Sequence, residues 1–272
     1  VIDVMSEGLS FPEGPRWRDG RWWLSDQLGG RVLTLDEDGI WSVVAVVPRP
    51  SGLGFLPDGS IVVATMDPPR VMAVSHGAVE EIADLADLTT SLNDLVVDDA
   101  GRTYLDAYGE QAEPGRLLLM APGQEPRVVA EDLDFPNGIV VTPDGRTLLV
   151  AETFGERISA FDIHPDGSLS GRRTWASLPG STPDGICLDS GPSLWVASFR
   201  QGEFLRVHEG GRVVDRITLG DGRWAMACAL GGIDGRTLLL CTATTTTRDY
   251  FAGIASGRVG LVRVGTPGSG RA

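Results

Sequence analysis

Apolar runs along this chain come in pairs, each pair joined by a short polar turn that contains glycine. The first reads Gly14-Pro-Arg-Trp-Arg-Asp-Gly-Arg-Trp-Trp-Leu-Ser, and related pairs begin at Gly54, Leu95, Ile139, Ile186 and Cys228. The turn glycines are Gly20, Gly59, Gly101, Gly145, Gly191 and Gly235, separated by 39, 42, 44, 46 and 44 residues. Asp-Gly between two apolar runs is a hairpin signal, because glycine accepts the positive φ that a tight turn demands. Helix-period patterns of useful length are absent.

Two more strands follow each hairpin. The third strands are expected at residues 31–36, 70–75, 116–121, 157–162, 203–208 and 260–265. The fourth are expected at 41–47, 79–85, 127–131, 173–178 and 213–219. Four strands in each repeat of this length is the signature of a propeller blade. The expected fold is therefore an all-β, six-bladed β-propeller with four-stranded antiparallel blades, formed by residues 1–272 as a single domain. Only five fourth strands follow their own blade in sequence. The sixth is expected from residues 2–7, which would close the ring inside the last blade and leave no open sheet edge. A pair of open sheets packed as a sandwich does not account for spacing this even. The threonine-rich run 242–247 falls between the second and third strands of the sixth blade, either over one end of the channel or simply exposed.

In a propeller the innermost strands line the axis, and the loops entering them converge at one mouth. Aligning the repeats on their turn glycines puts one residue per blade there: Glu13, Ser51 or Gly52, Asn93, Asn137, Asp184, and a residue near Met226 or Ala227. Four of these six carry oxygen donors. The whole chain contains two asparagines, Asn93 and Asn137, and both fall in this register. Local capping of a strand by each Asn is the plainer reading, but it leaves the shared register with Glu13 and Asp184 unexplained. Two carboxylates and two amide carbonyls make a hard, all-oxygen set that suits Ca²⁺ best. Mg²⁺ or Mn²⁺ are alternatives, and Zn²⁺ is disfavoured by the lack of His and Cys.

Composition narrows the chemistry further. The 37 acidic residues outnumber the 23 basic ones, for a formal charge of -14, which repels nucleic acid and anionic membranes rather than steering toward them. Every basic residue is arginine, as codon bias in a high-GC genome would produce, so lysine Schiff-base and Walker-A chemistry are excluded. Cys187, Cys228 and Cys241 lack metal-ligand spacing and sit in apolar runs, which argues for reduced, buried thiols. Cys228 and Cys241 could face each other across a hairpin, although a disulfide there is the weaker reading. His76, His164 and His208 look like loop or strand-end residues, which leaves no histidine dyad. No apolar run is long enough to span a bilayer, and the first residues lack the features of a signal peptide, so a cytoplasmic protein is expected.

Several motifs, in this order along nearly the whole chain, carry a family likeness. They are Glu13-Gly-Pro-Arg-Trp, Asn93-Asp-Leu-Val-Val-Asp, Phe135-Pro-Asn-Gly-Ile, Pro143-Asp-Gly-Arg-Thr-Leu, Ala151-Glu-Thr and Pro183-Asp-Gly-Ile-Cys-Leu-Asp. With these the chain resembles the family of gluconolactonases, senescence marker protein 30 and luciferin-regenerating enzyme. The resemblance implies a six-bladed propeller with one divalent metal held by Glu13, Asn137 and Asp184. Asn93 becomes a fourth ligand or a substrate contact. It also implies lactone hydrolysis of a small-molecule substrate; a compatible mechanism has Asp184, the first choice on the family pattern, or the neighbouring Asp94 taking a proton from the attacking water.

One position departs from the family pattern. Sugar-lactone members commonly carry Arg two residues before the equivalent of Asn93, where this chain has Ser91. Further candidates for the mouth are Trp17, Met66, Tyr108, Phe154 and Trp224, bulky side chains that could equally pack between blades. With Ser91, and with Tyr108 and Phe154 taken as substrate contacts, they point toward a lactone or ester less polar than a sugar lactone. Two other readings share the fold: a metal-dependent cyclase or isomerase, and a non-catalytic scaffold with a structural metal. A monomer or weak homo-oligomer is expected.

Overall fold

A computed structural model describes all residues except 1, 37–38, 76, 109–112, 221 and 271–272, and describes residues 4–7 by their backbone alone. His76 therefore lies outside the described residues. The 24 strands, numbered β1–β24 in chain order, form six four-stranded antiparallel sheets arranged as the blades of a propeller. The first five blades are β2–β5 (residues 12–46), β6–β9 (50–84), β10–β13 (91–133), β14–β17 (136–177) and β18–β21 (183–218). The sixth comprises β22–β24 (224–263), completed by β1 (Asp3–Leu9), which pairs antiparallel with β24 (Ser256–Arg263). Closure by the N-terminal segment is thus as expected, with the strand shifted slightly toward the C-terminus.

Burial is deepest in the second strand of each blade and lowest at the rim, and the sequence follows it. The second strands are buried over most of their length, and β7 (Ile61–Thr65) and β19 (Ser193–Ser198) at every position, because blades cover both their faces. That double cover is why they read as continuous apolar runs rather than as alternating ones. The outermost strand β9 (Ala78–Asp84, AVEEIAD) is mostly exposed and carries the charges. Six apolar clusters form the core, one between each pair of neighbouring blades. One joins Val96, Tyr104 and Leu117 to Ile139 and Val150, and another joins Leu24 and Leu33 across the closure to Leu239 and Val259.

Several local expectations change. Gly20, Gly59, Gly101, Gly145 and Gly235 take φ between 70° and 89°, but Gly191 does not. Its turn is built instead by Asp189, whose Oδ1 accepts hydrogen bonds from Gly191 N (2.8 Å) and Ser193 N (3.2 Å). Cys228 pairs with Leu240 rather than with Cys241 across the hairpin. Its thiol neighbour is Cys187, with the sulfurs 3.8 Å apart, and all three cysteines are free. Thr242 and Thr244 belong to β23 (Thr237–Thr244). Thr246 caps a five-residue helix, α1 (Thr247–Phe251), its hydroxyl accepting from Asp249 N. Among the described residues no helix is long and apolar enough to cross a membrane.

Candidate metal centre

The six innermost strands are β2 (Pro12–Arg18), β6 (Pro50–Phe55), β10 (Ser91–Val97), β14 (Pro136–Val141), β18 (Pro183–Leu188) and β22 (Trp224–Gly231). Each breaks register with its neighbour at the same level: between Glu13 and Arg16, Pro50 and Leu53, Leu92 and Leu95, Pro136 and Ile139, Pro183 and Ile186, and Ala225 and Ala227. Such bulges re-aim side chains out of the alternating pattern. Here they lie where Glu13, Ser51, Asn93, Asn137, Asp184 and Met226 had been aligned. The residue after the candidate donor is often glycine because the inner strands nearly touch. A Cβ on Gly138 would lie 2.6 Å from the backbone of Asp184 and Ile186, and one on Gly185 would lie 2.7 Å from Ala227.

The four predicted ligands do come together. Asn93 Nδ2 donates to Asn137 Oδ1 (2.8 Å), and Asn93 Oδ1 accepts from Ser51 Oγ (2.8 Å). Burial, followed by the charge of Asp94, pushes the Glu13 carboxyl up to about 8. Asp184 is raised well above the usual carboxylate range by burial first, then by Glu13, Asp94 and Asp106, and a bond to Asn137 opposes the shift. A bond from Gly14 N and the Arg16 charge oppose the Glu13 shift without cancelling it, so two buried carboxylates that repel each other remain short of countercharge. Among the described residues no group of three or more His, Cys, Asp or Glu side chains has metal-site geometry, so the candidate set depends on its amide oxygens. The set fits a hard divalent cation: oxygens only, two of them on mutually repelling carboxylates, at the mouth of the channel.

Asp94 lies beside this set. Its Oδ1 accepts from Arg16 Nη2 (3.3 Å) and from its neighbour Leu95 N (2.8 Å), while Arg16 also donates to Leu95 O (2.7 Å). Asp106, in the apolar strand β11 (Thr103–Tyr108), was missed. It is fully buried, its Oδ1 accepts from Asp94 N (2.7 Å), and its Oδ2 is buried without a hydrogen-bond partner. Burial and then the Asp94 charge raise its pKa. A lone carboxylate inside Tyr-Leu-Asp-Ala-Tyr was the available signal.

Aromatic rings border the mouth. Tyr108 stacks on Phe135 with centroids 4.2 Å apart, and Phe135 meets Phe154 at 4.8 Å. Phe199 packs on Trp224 at 5.3 Å, and Trp224 faces Tyr250 at 6.4 Å. Tyr108 and Tyr250 both feel the Glu13 and Asp184 charges, which, after burial, help raise their phenols, that of Tyr250 to about 12. Tyr250, carried in by α1, was also missed, because nothing in a threonine-rich loop announces that it folds over the channel. Its hydroxyl donates to Gln27 Oε1 (2.6 Å), and Gln27 Nε2 donates to Ser51 Oγ (3.3 Å), so the rim is wired to Asn93. Ser91, where β10 begins, is half-buried, its hydroxyl directed to Leu92 O (3.4 Å). Of the five further candidates, Met66, Tyr108, Phe154 and Trp224 stand at this mouth. Trp17 does not. It packs on Trp22 and Gly231 and borders a cavity of about 60 Å³ at the opposite end of the channel.

The family model described as the SMP-30/gluconolactonase/LRE-like region matches residues 11–244. The chain belongs to this family. Among SMP-30/gluconolactonase/LRE-like relatives, a 6-deoxy-6-sulfogluconolactonase of Pseudomonas putida is 29% identical over 97% of this chain and 95% of that protein. A pentonolactonase of Haloferax volcanii is 26% identical over 89% of this chain and 85% of its own length. The same fold recurs in a luciferin-regenerating enzyme (TM-score 0.84, 17% identity, 98% of this chain and 97% of that one). It recurs again in a calcium-binding regucalcin from Agrobacterium tumefaciens (TM-score 0.79, 21% identity, 98% and 96%).

Proposed function

We propose that this protein is a divalent-metal-dependent lactonase acting on a small-molecule lactone or related ester at the Glu13 mouth. The observation that carries the reading is the meeting of Glu13 and Asp184, both carboxyls raised, with the Asn93–Asn137 amide pair. The lactonase names borne by the relatives support the reaction class. Glu13, Asn137 and Asp184 would hold the cation, with Asn93 as fourth donor or substrate contact, and Ca²⁺ is the first choice for this donor set. A bound dication supplies Lewis acidity toward the lactone carbonyl and toward the charge that develops on its oxygen.

The chain's own residues do the rest. Asp184 takes a proton from the attacking water, because Asp94 Oδ1 is already engaged by Arg16. Asn93, held by Ser51 and Asn137, has a fixed amide plane with which to orient the substrate. Tyr108, Phe135 and Phe154 offer an apolar wall, and with Ser91 in place of an arginine they favour a lactone less polar than a sugar lactone. The test is a panel of γ- and δ-lactones assayed after chelation and after return of Ca²⁺, Mg²⁺, Mn²⁺ or Zn²⁺. Turnover that returns with a divalent ion, and falls by about 10²–10⁴-fold in Asp184→Ala together with metal binding, is expected. Full activity in that variant, or in chelator, would sink the reading.

A further inference from the structure

Arg49 stands out among the arginines. In this acidic chain many guanidinium groups find carboxylates, such as Arg31 with Asp26, Arg102 with Asp98, Arg157 and Arg172 with Glu152, and Arg206 with Asp189, and others, such as Arg116, are held by backbone carbonyls. No carboxylate among the described residues lies within ion-pair distance of Arg49. Its Nε is buried without a hydrogen-bond partner. Its Nη2 makes only two long contacts, to Tyr250 Oη (3.5 Å) and Met66 Sδ (3.9 Å), and its Cζ stands 5.9 Å from the centre of the Tyr250 ring. Its backbone φ is 42°, in the left-handed region that disfavours a residue with a Cβ. A half-buried cation with five donors, nearly all unspent, is a site waiting for an acceptor.

Its position gives that acceptor a meaning. Arg49 directly precedes β6, two residues before Ser51, and its carbonyl accepts from Met66 N (3.0 Å) at the mouth. A hydrogen-bond path runs from Asn137 through Asn93, Ser51, Gln27 and Tyr250 to the guanidinium. Arg200, another cation near the rim, is different. It is exposed, hence hydrated, and lies over the Phe154 (5.4 Å) and Phe199 (5.3 Å) rings.

We infer that Arg49, backed by Tyr250 and Met66, is an anion-binding subsite that selects lactones bearing a carboxylate or similar anionic substituent. A planar guanidinium fork suits such a group, and its affinity is greater where water is partly excluded. Glu13 and Asp184 do not repel the ligand once a dication neutralises them. The apolar wall takes the uncharged part of the same molecule. This rests on the lactonase reading and narrows it: the part of the substrate against the aromatic wall is less polar than a sugar lactone, and the charge is confined to the end that Arg49 meets.

The experiment compares γ-lactones that carry a carboxylate, attached directly or through one or two carbons, with their carboxamide counterparts, using the metal-loaded protein. At least one carboxylate is expected to be preferred about 10- to 100-fold in kcat/KM. Arg49→Met should bring that ratio to about one, and Arg49→Lys should restore part of it, with thermal melts verifying that both variants fold. A ratio near one in the wild type, or an unaltered ratio in Arg49→Met, overturns the subsite while leaving the lactonase reading intact. If no lactone is hydrolysed, the lactonase reading fails instead. Calorimetric titration with the ring-opened hydroxy-dicarboxylates and their monoamides then reads Arg49 directly. A preference for the dicarboxylate that Arg49→Met removes sustains the subsite, and equal binding overturns it.

Discussion

Glu152 sits at the end of β15 (Thr147–Glu152) with no exposed side-chain surface, yet it stays ionised. Burial alone would raise its carboxyl. Bonds from Arg157, Asp134 N and Ser159, with the charge of Arg172, outweigh that and hold it down to about 2. A carboxyl depressed below its unfolded value of about 4.5 adds stability that is complete above that pH and lost as pH falls toward 2. The contribution at neutral pH is about 3 kcal/mol, and Glu152→Gln, which strands two guanidinium groups, should cost about that much. Urea melts at pH 7 and at pH 2.5 measure the gap between variant and wild type; it should be wide at pH 7 and shrink to about a quarter of that at pH 2.5, and a gap equal at both would refute the assignment. The same contrast marks what could be read in single residues. Glu13, Asn93, Asn137 and Asp184 declared themselves by a repeated register. Asp106, Gln27, Arg49 and Tyr250 act through partners 12 to 223 positions away, and no repeat aligns them.

Blades were legible because each obeys one rule, two apolar strands about a turn and two progressively more polar ones outside, and six copies reinforce the pattern. Their exact ends were less so. The fourth blade's outer strand β17 (Leu169–Ser177) begins four residues before its expected start, because exposed outer strands alternate weakly and leave little to mark the edge. The bulges were invisible for another reason: they arise where six inner strands crowd the axis, a property of the closed ring. Gly138 measures that crowding. Any side chain there meets backbone of the next blade, which has no rotamer with which to yield. Gly138→Ala should therefore lose about 1–3 kcal/mol in a denaturant melt, the usual cost of overpacking. Calcium affinity should fall with it, because the residue pushed aside, Asp184, is a proposed ligand. A variant as stable as the parent would mean that the inner strands part at no cost.

A closed ring has no hinge line between halves, so whatever binds at its mouth acts on the stability of the whole. Glu13 and Asp184 enter from blades separated by 171 residues of chain (184 − 13), and each finds its carboxyl raised, Glu13 to about 8. For an acid shifted upward the sign opposes that of Glu152. Its favourable contribution is present below the unfolded pKa of about 4.5 and is lost as pH rises through the folded one, because the fold must then hold an unwelcome charge. Without a cation the protein should weaken between pH 5 and pH 8.5 by up to about 4 kcal/mol from Glu13 alone, with Asp184 adding in the same direction. A bound divalent ion prefers the ionised ligands, so its stabilisation grows over the interval in which the apo protein weakens. Thermal melts should show a Tm that falls from pH 5 to pH 8.5 in chelator and stays nearly level with excess Ca²⁺. Glu13→Gln, which carries no proton to lose, should keep much of its Tm at pH 8.5 in chelator and gain little from calcium. Equal melting of the chelated wild type at both pH values would break the link between these carboxylates and a metal.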